Sequence, residues 1–175
     1  MAAFTVIEHD ELSSSTTTWA SGTFATTYDH LYIVMSARTD YTASYSPGTM
    51  WQFNGDTGSN YSFTDLQAST GTPGTYQSSG TSIGYPPIST SLATADTFGV
   101  ITAWIPNYAN TSNFKQILFS ASAENASSTD SQWALKVTAG LWSSTSALTS
   151  FSVTNNGGGD FVQYSSYTVY GVTGA

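Results

Sequence analysis

The sequence predicts an all-β protein, an antiparallel two-sheet sandwich of jelly-roll character with about ten strands. No helical period is sustained along the chain, whereas short runs of β-branched and aromatic residues recur throughout it. Clusters of Gly, Pro, Asn and Ser separate these runs. Phe, Trp and Tyr make up 14% of the 175 residues, which is enough for a substantial core. A chain of this length fits one domain over residues 1–175.

The predicted strands follow the β-rich runs in chain order. They are Phe4–Glu11, Thr16–Phe24, Leu31–Thr39, Thr49–Asn54, Tyr61–Ala68, Thr97–Ile105, Phe114–Ala123, Gln132–Leu141, Leu148–Thr154 and Tyr164–Val172. The run LYIVMSA in the third of them is apolar at both alternating sets of positions. A strand that is apolar on both faces is typical of the middle of a sheet or of a subunit contact.

Two strands show an alternation that predicts which face is buried. In TFGVITAWIP, Val100 and Trp104 share one face, and in QWALKV, Trp133 and Leu135 lie opposite Lys136. We expect the faces with the tryptophans to point into the core and Lys136 to point to solvent.

The segment Ser69–Asp96 is dense in Gly, Pro, Ser and Thr and has few apolar residues. This composition predicts a long surface loop at 69–96, and long loops in compact domains are often functional. Aromatic residues within or beside predicted loops are the candidates for contacts with a partner or ligand. They are Tyr41, Tyr45, Trp51, Tyr76 and Tyr85.

Composition excludes several classes of function. The chain has no cysteine, so it has neither disulfides nor thiolate metal sites. The net charge is −8 with only three basic residues, which argues against nucleic acid as a partner. No apolar run is long enough to cross a bilayer and no signal peptide is apparent, so we expect neither membrane insertion nor secretion. Nothing in the sequence predicts a cofactor.

The stretch FNGDTGSNYS carries oxygen ligands at short spacing, and a metal site at Asp56 and Asn60 is one interpretation. Counted from Asn54, Gly58 stands at ligand position 5, Ser59 at position 6, which requires Gly, and Asp65 at position 12, which requires Glu, so a helix-loop-helix calcium loop does not fit. The favoured interpretation is a hairpin turn in which Gly55 and Gly58 adopt positive φ and Asp56 accepts hydrogen bonds from nearby backbone N–H groups.

Titratable side chains do not predict catalysis. The densest cluster consists of four adjacent residues, of which only alternate ones share a face of a strand: Glu8, His9, Asp10 and Glu11. Such charges are typical of an edge strand, where they prevent unwanted pairing. Asp29 and His30 are adjacent in sequence, but adjacency does not supply the geometry of a nucleophile and its base. We therefore predict that the chain is not an enzyme.

Five stretches occur in a fixed order over nearly the whole chain: TTYDHLYIVMSAR, FNGDTGSNYS, IPNYANTSNFK, AGLWSSTSALTSFSV and GDFVQYSSYTVYGV. In this order the chain resembles a family of small virion structural proteins of tailed bacteriophages, described as tail-fibre-like or decoration proteins. The resemblance implies a jelly-roll sandwich on the outside of the particle and brings no catalytic residues.

The expected function is therefore that of a structural component of the virion exterior, an oligomeric decoration or cement protein. We expect it to associate with itself, as a trimer, and with other virion proteins such as the major capsid protein or tail proteins. The alternative is a receptor-binding tail fibre or tail tip protein that recognises a glycan or protein of the host surface. Either role predicts assembly on the particle after synthesis in the host cytoplasm.

Overall fold

Twelve β-strands form two antiparallel sheets in the computed structural model, which describes residues 3–43, 47–69, 72–124 and 134–174. The described part of the chain contains no helix, and hence none that could cross a membrane. The predicted two-sheet sandwich is confirmed, with twelve strands in place of about ten. The strands are β1 (Ala3–Glu11), β2 (Thr18–Ala20), β3 (His30–Ala37), β4 (Gly48–Phe53), β5 (Tyr61–Ser69), β6 (Thr72–Gly80), β7 (Ile83–Pro87), β8 (Gly99–Pro106), β9 (Lys115–Ser122), β10 (Leu135–Trp142), β11 (Phe151–Asn155) and β12 (Ser166–Thr173).

The two sheets differ in size. The large sheet has eight strands in the order β1-β12-β3-β8-β9-β10-β5-β6, and the small sheet has four in the order β2-β11-β4-β7. Strand β3, which contains LYIVMSA, lies between β12 and β8 and so is inside the sheet, as its two apolar faces predicted. Strand β1 lies at an edge of the large sheet, where its charged residues are expected.

Aromatic side chains fill the space between the sheets. Trp51 of β4 is completely buried, and its ring lies 5.1 Å from the rings of both Phe119 and Phe151. The ring of Phe53 lies 5.8 Å from that of Trp142 across the sandwich. Trp51 sits at an alternating position of β4 that faces the large sheet, so the prediction of an exposed contact for Trp51 is wrong.

The facing predicted for β8 and β10 is also wrong. Ile101 and Ala103 of β8 are buried, whereas Trp104 is partly exposed on the outer face, and Lys136 of β10 is buried while Leu135 is exposed. Trp133 lies outside the described residues. Burial of Lys136 is possible because Asp65 supplies an opposite charge, and a sequence pattern does not show a partner that comes from another strand.

The segment 69–96 is not a long loop, because it contains β6 and β7. Strand β6 pairs with β5 over nine residues, from Ser69↔Thr72 to Tyr61↔Gly80. Backbone pairing at a sheet edge requires no apolar side chains, which explains why the composition did not indicate a strand. Ile83 of β7 is completely buried in the core.

Arg38 fixes the chain that follows β7. Its guanidinium donates hydrogen bonds to the carbonyl oxygens of Ala93, Thr94 and Thr97 at 3.3, 2.9 and 2.8 Å. A planar group with five N–H donors is suited to binding several carbonyl oxygens of one turn. The last part of the predicted loop is therefore held against β3.

The stretch FNGDTGSNYS joins two different sheets, so the predicted hairpin is wrong. It links β4 of the small sheet to β5 of the large sheet. Asn54 and Gly55 adopt positive φ, with angles of 51° and 67°, and Gly58 does not. The backbone N–H of Gly58 donates to Asp56 Oδ1 at 2.8 Å, as predicted for the turn.

Candidate functional site

A groove lies between the two sheets and is lined by residues of their edge strands β6 and β7. Gln67 of β5, Tyr76 of β6 and Lys136 of β10 come from the large sheet, and Tyr85 and Pro87 come from β7 of the small sheet. Its volume is about 310 Å³. Strand pairing sets this arrangement, because Gln67 lies directly opposite Lys136 in the register of β5 and β10.

A buried ion pair lies at the base of this groove. Lys136 Nζ is 3.1 Å from Asp65 Oδ2, and both side chains are almost completely removed from solvent. Asp65 lies directly opposite Thr138, so Asp65 and Lys136 are diagonal neighbours on adjacent strands. Burial lowers the pKa of Lys136, and the negative charge of Asp65 partly offsets this effect. Among the described residues, neither carboxylate oxygen of Asp65 has a hydrogen-bond partner other than Lys136, so Lys136 alone compensates the buried negative charge.

Aromatic rings form the walls beside the ion pair. The rings of Tyr76 and Tyr85 lie 6.1 Å apart, and Phe63 packs edge-on against Tyr85 at 5.5 Å. Lys136 Nζ lies 5.8 Å from the centre of the Tyr85 ring, which is within the range of a cation–π contact. Burial, followed by the charges of Tyr76 and Asp65, raises the pKa of Tyr85. The Tyr85 hydroxyl therefore stays protonated at neutral pH and can both donate and accept a hydrogen bond.

A second feature is the outer face of the large sheet, which faces away from the small sheet. On the seven strands from β12 to β6 in sheet order, no described outward-facing residue is Asp, Glu, Lys or Arg. Large apolar side chains are exposed on this face: Val100, Leu118, Leu135, Val137 and Leu66. Contiguous exposed apolar surface of this kind marks interaction sites.

The middle of the outer face is a row of cross-strand neighbours. Tyr170 of β12 lies opposite Tyr32 of β3, Tyr32 lies opposite Trp104 of β8, and Trp104 lies opposite Leu118 of β9. The centre of the Tyr32 ring lies 6.4 Å from the ring centres of both Tyr170 and Trp104. Aromatic residues are enriched in the centres of protein interfaces, and this row has the composition of such a centre.

The structure brings together two of the five aromatic residues predicted to make contacts. Tyr76, which is 44% exposed, and Tyr85 form one wall of the groove. Tyr41 is partly buried in the chain between β3 and β4 and does not line the groove, and Trp51 belongs to the core. Tyr45 lies outside the described residues.

Asp56 and Asn60, the candidate metal ligands, bind each other and the protein. Asn60 Nδ2 donates to Asp56 Oδ2 at 3.0 Å, and the indole Nε1 of Trp142 donates to the same oxygen at 2.8 Å. The hydrogen bond from Trp142, then those from Asn60 and Gly58, lower the pKa of Asp56. Within the described ranges, no three His, Cys, Asp or Glu side chains are grouped as metal ligands. The arrangement around Asp56 is that of a structural corner between the sheets.

Replacing Asp56 by alanine is expected to destabilise the fold by about 1–3 kcal/mol, because buried Trp142 Nε1 loses its acceptor. Asp56→Asn, which keeps an acceptor oxygen, should lose less. The folded state binds the Asp56 proton more weakly than the unfolded chain, so the stabilisation is present above the usual pKa of 3.8 and is lost as pH falls below it.

Urea denaturation at neutral pH and at a pH below 3.8 measures both effects of Asp56. The difference between the wild type and Asp56→Asn should shrink in acid. A difference that stays constant would show that the charge of Asp56 has no part in holding the corner.

The acidic residues of β1 are engaged in hydrogen bonds. Glu8 Oε1 accepts from the Tyr167 hydroxyl at 2.6 Å, and Asp10 Oδ2 accepts from Trp19 Nε1 at 2.7 Å. Burial, with the hydrogen bond to Glu8 as the next cause, raises the pKa of Tyr167. Glu8 and Asp10 thus attach the edge strand to the core, and the alternate positions are exposed: His9 and Glu11.

Asp29 and His30 do not form a catalytic pair with each other. His30 Nδ1 accepts a hydrogen bond from the backbone N–H of Asn107 at 3.1 Å, and its ring lies 5.1 Å from that of Trp104. Asp29 accepts from the backbone N–H of Gly174. Each residue therefore has a separate structural partner at the start of β3.

Sequence reasoning missed both Lys136 and Asp65 as members of a site, although for Asp65 a signal was present. Asp65 alternates in phase with Tyr61 and Phe63, both core residues, and so shares their buried face. The chain thus presents two features suited to recognition, the groove and the outer face. Comparison of the chain with known protein families, with curated proteins and with solved structures finds no match.

Proposed function

We propose that this chain is a non-catalytic structural subunit that associates with itself through the outer face of the large sheet, as a decoration protein on the exterior of a tailed-phage virion. The observation that carries the proposal is the uncharged outer face with its row of aromatic and apolar side chains. The resemblance to virion structural proteins supports the location on a phage particle.

The charge distribution favours a second copy of the chain as the occupant of this face. Each copy carries a net charge of −8, and the seven strands of the outer face present a broad surface without any of those charges, so two such faces can approach without direct charge repulsion. Two such faces can pack as sheets do in a sandwich, about 10 Å apart with side chains interdigitated. The seven uncharged strands, at about 4.8 Å spacing and each roughly 26 Å long, give a face of roughly 900 Å² per copy, close to the size of a standard specific interface.

The geometry also distinguishes between oligomeric states. A sheet face that packs on the same face of another copy forms a two-fold, isologous contact. The trimer expected from the sequence requires the outer face to bind a different surface of its neighbour. The mass in solution therefore reports which contact forms.

Leu118→Glu is expected to abolish self-association, because it places a charge at the centre of the outer face between Trp104 and Ala139. Analytical ultracentrifugation should give a multiple of 18.5 kDa for the wild type and a single copy for the variant. The matched control is Leu92→Glu, a similarly exposed leucine that is not on this sheet, which should keep the wild-type mass. A wild type that remains a single copy at high concentration, or equal masses for the two variants, would contradict the proposal.

The location on a virion needs its own test. The purified wild-type protein should bind again to phage particles that lack it, and antibody labelling should decorate many sites on the particle surface. Labelling confined to a few copies at the tail tip would overturn the decoration role and favour receptor binding. This test separates the location of the protein from its ability to associate with itself.

A further inference from the structure

We propose that the groove between β6 and β7 binds one neutral sugar ring, an uncharged pyranose. The groove lies between the edges of the sheets, whereas the outer face proposed for self-association lies on the opposite side of the large sheet. The two proposals are therefore independent, and either can fail without the other.

The charges around the groove select an uncharged ligand. Lys136 lines the groove, but Asp65 at 3.1 Å already neutralises its ammonium. An anion would have to compete with that carboxylate, which lies beneath Lys136. A cation would meet the ammonium of Lys136 first, because Asp65 itself does not line the groove. Transfer of either ion from water to this partly buried site is unfavourable without a free counter-charge.

The walls of the groove fit a molecule with an apolar flat side. The rings of Tyr76 and Tyr85 line it together with Pro47 and Pro87, and these groups offer flat C–H and π surfaces. A pyranose presents a patch of C–H groups on one side of its ring, which can stack on such surfaces. The volume of about 310 Å³ lies at the lower end of the range of ligand cavities, as a single ring requires.

Polar groups that line the groove match hydroxyl groups, which both donate and accept hydrogen bonds. Gln67 and Asn156 carry amides with two N–H donors and an acceptor oxygen each, and Lys136 carries three N–H donors. The protonated hydroxyl of Tyr85 adds a further donor and acceptor. Replacement of a buried ion pair by apolar side chains of similar volume is often neutral or stabilising, so the pair of Lys136 and Asp65 is weak evidence for a purely stabilising role.

The test is an NMR titration of the wild-type protein with four neutral sugars: methyl glucoside, methyl galactoside, methyl mannoside and N-acetylglucosamine. Two charged sugars, glucuronic acid and glucosamine, serve as comparators. At least one neutral sugar, at up to tens of millimolar, should shift the amide signals of Gln67, Tyr76, Tyr85 and Lys136. If none of the four does so, or if a charged sugar binds there more tightly, the proposal is overturned.

Two variants link the binding to the groove. Tyr76→Ala removes one stacking ring and should weaken binding about tenfold or more, whereas Tyr76→Phe should retain most of it. The matched control is Tyr164→Ala, which removes a tyrosine that is 65% exposed and does not line the groove. Equal affinities for Tyr76→Ala and Tyr164→Ala would show that the sugar binds elsewhere and would also overturn the proposal.

Discussion

Lys136→Met is expected to lower the free energy of unfolding by about 3–5 kcal/mol, because it leaves the carboxylate of Asp65 buried without its cation. Asp65 is nearly inaccessible to solvent and has no other described polar partner that could replace Lys136. Urea denaturation followed by tryptophan fluorescence measures the loss. This is one of the two largest single-residue effects expected for the protein.

The double variant Asp65→Leu/Lys136→Met is the control for the ion pair. It differs from Lys136→Met only at Asp65, and it replaces both charges by apolar side chains of similar shape. Its stability should lie within about 1 kcal/mol of the wild type or exceed it. If the double variant is as unstable as Lys136→Met, the loss comes from packing at position 136 and not from the unpaired charge.

Trp51→Ala should cost about 3–5 kcal/mol, because it opens a large cavity at the centre of the sandwich. The indole packs against Phe119 and Phe151, and its Nε1 donates to Thr49 Oγ1 at 2.9 Å. Thermal and urea denaturation at a fixed, low protein concentration measure the effect.

Trp104→Ala is the matched control for Trp51, since it removes the same side chain from the partly exposed outer face. Its loss should be clearly smaller, because solvent can occupy the space that the indole leaves. Equal losses for the two tryptophans would contradict the assignment of Trp51 to the core and of Trp104 to the surface.

Fold class could be predicted from the sequence because strands and turns have local signatures. The runs that became β3, β5 and β12 contain β-branched and aromatic residues, and their positions were predicted within a few residues. Strand β6 was missed because an edge strand needs only backbone pairing, and TPGTYQSSG carries no apolar alternation. The residues Asn54 and Gly55 favour a hairpin turn as much as a connection between two sheets, because both kinds of connection use residues with positive φ.

The facing of a strand was harder to predict than its existence. Both faces of β8 and β10 carry apolar residues, so alternation alone does not determine which face is buried. A tryptophan usually lies on the buried face of a strand, but on β8 the smaller Ile101 and Ala103 face inward while Trp104 faces outward. Alternation is more informative on β5, where only one face carries large aromatic residues. Asp65 shares that face with Tyr61 and Phe63, so its burial can be inferred from the sequence.

Part of the groove followed from composition. Tyr76 and Tyr85 were identified because aromatic residues in polar surroundings are candidates for contacts. Lys136 could not be identified in this way, because its partner Asp65 lies far away in the sequence. The two residues become neighbours only because β5 pairs with β10, and the order of strands in a sheet cannot be predicted from a single sequence.

The uncharged outer face has a consequence for how copies of the protein would meet in solution. Eleven acidic and three basic residues leave each copy strongly negative, so two copies repel each other at a distance even if their faces are complementary on contact. Dissolved ions shorten the range of that repulsion to about 8 Å at physiological ionic strength. Association through the outer face would therefore strengthen as salt is added, the opposite of an interface held by ion pairs, and assembly would respond to the ionic composition of the surroundings.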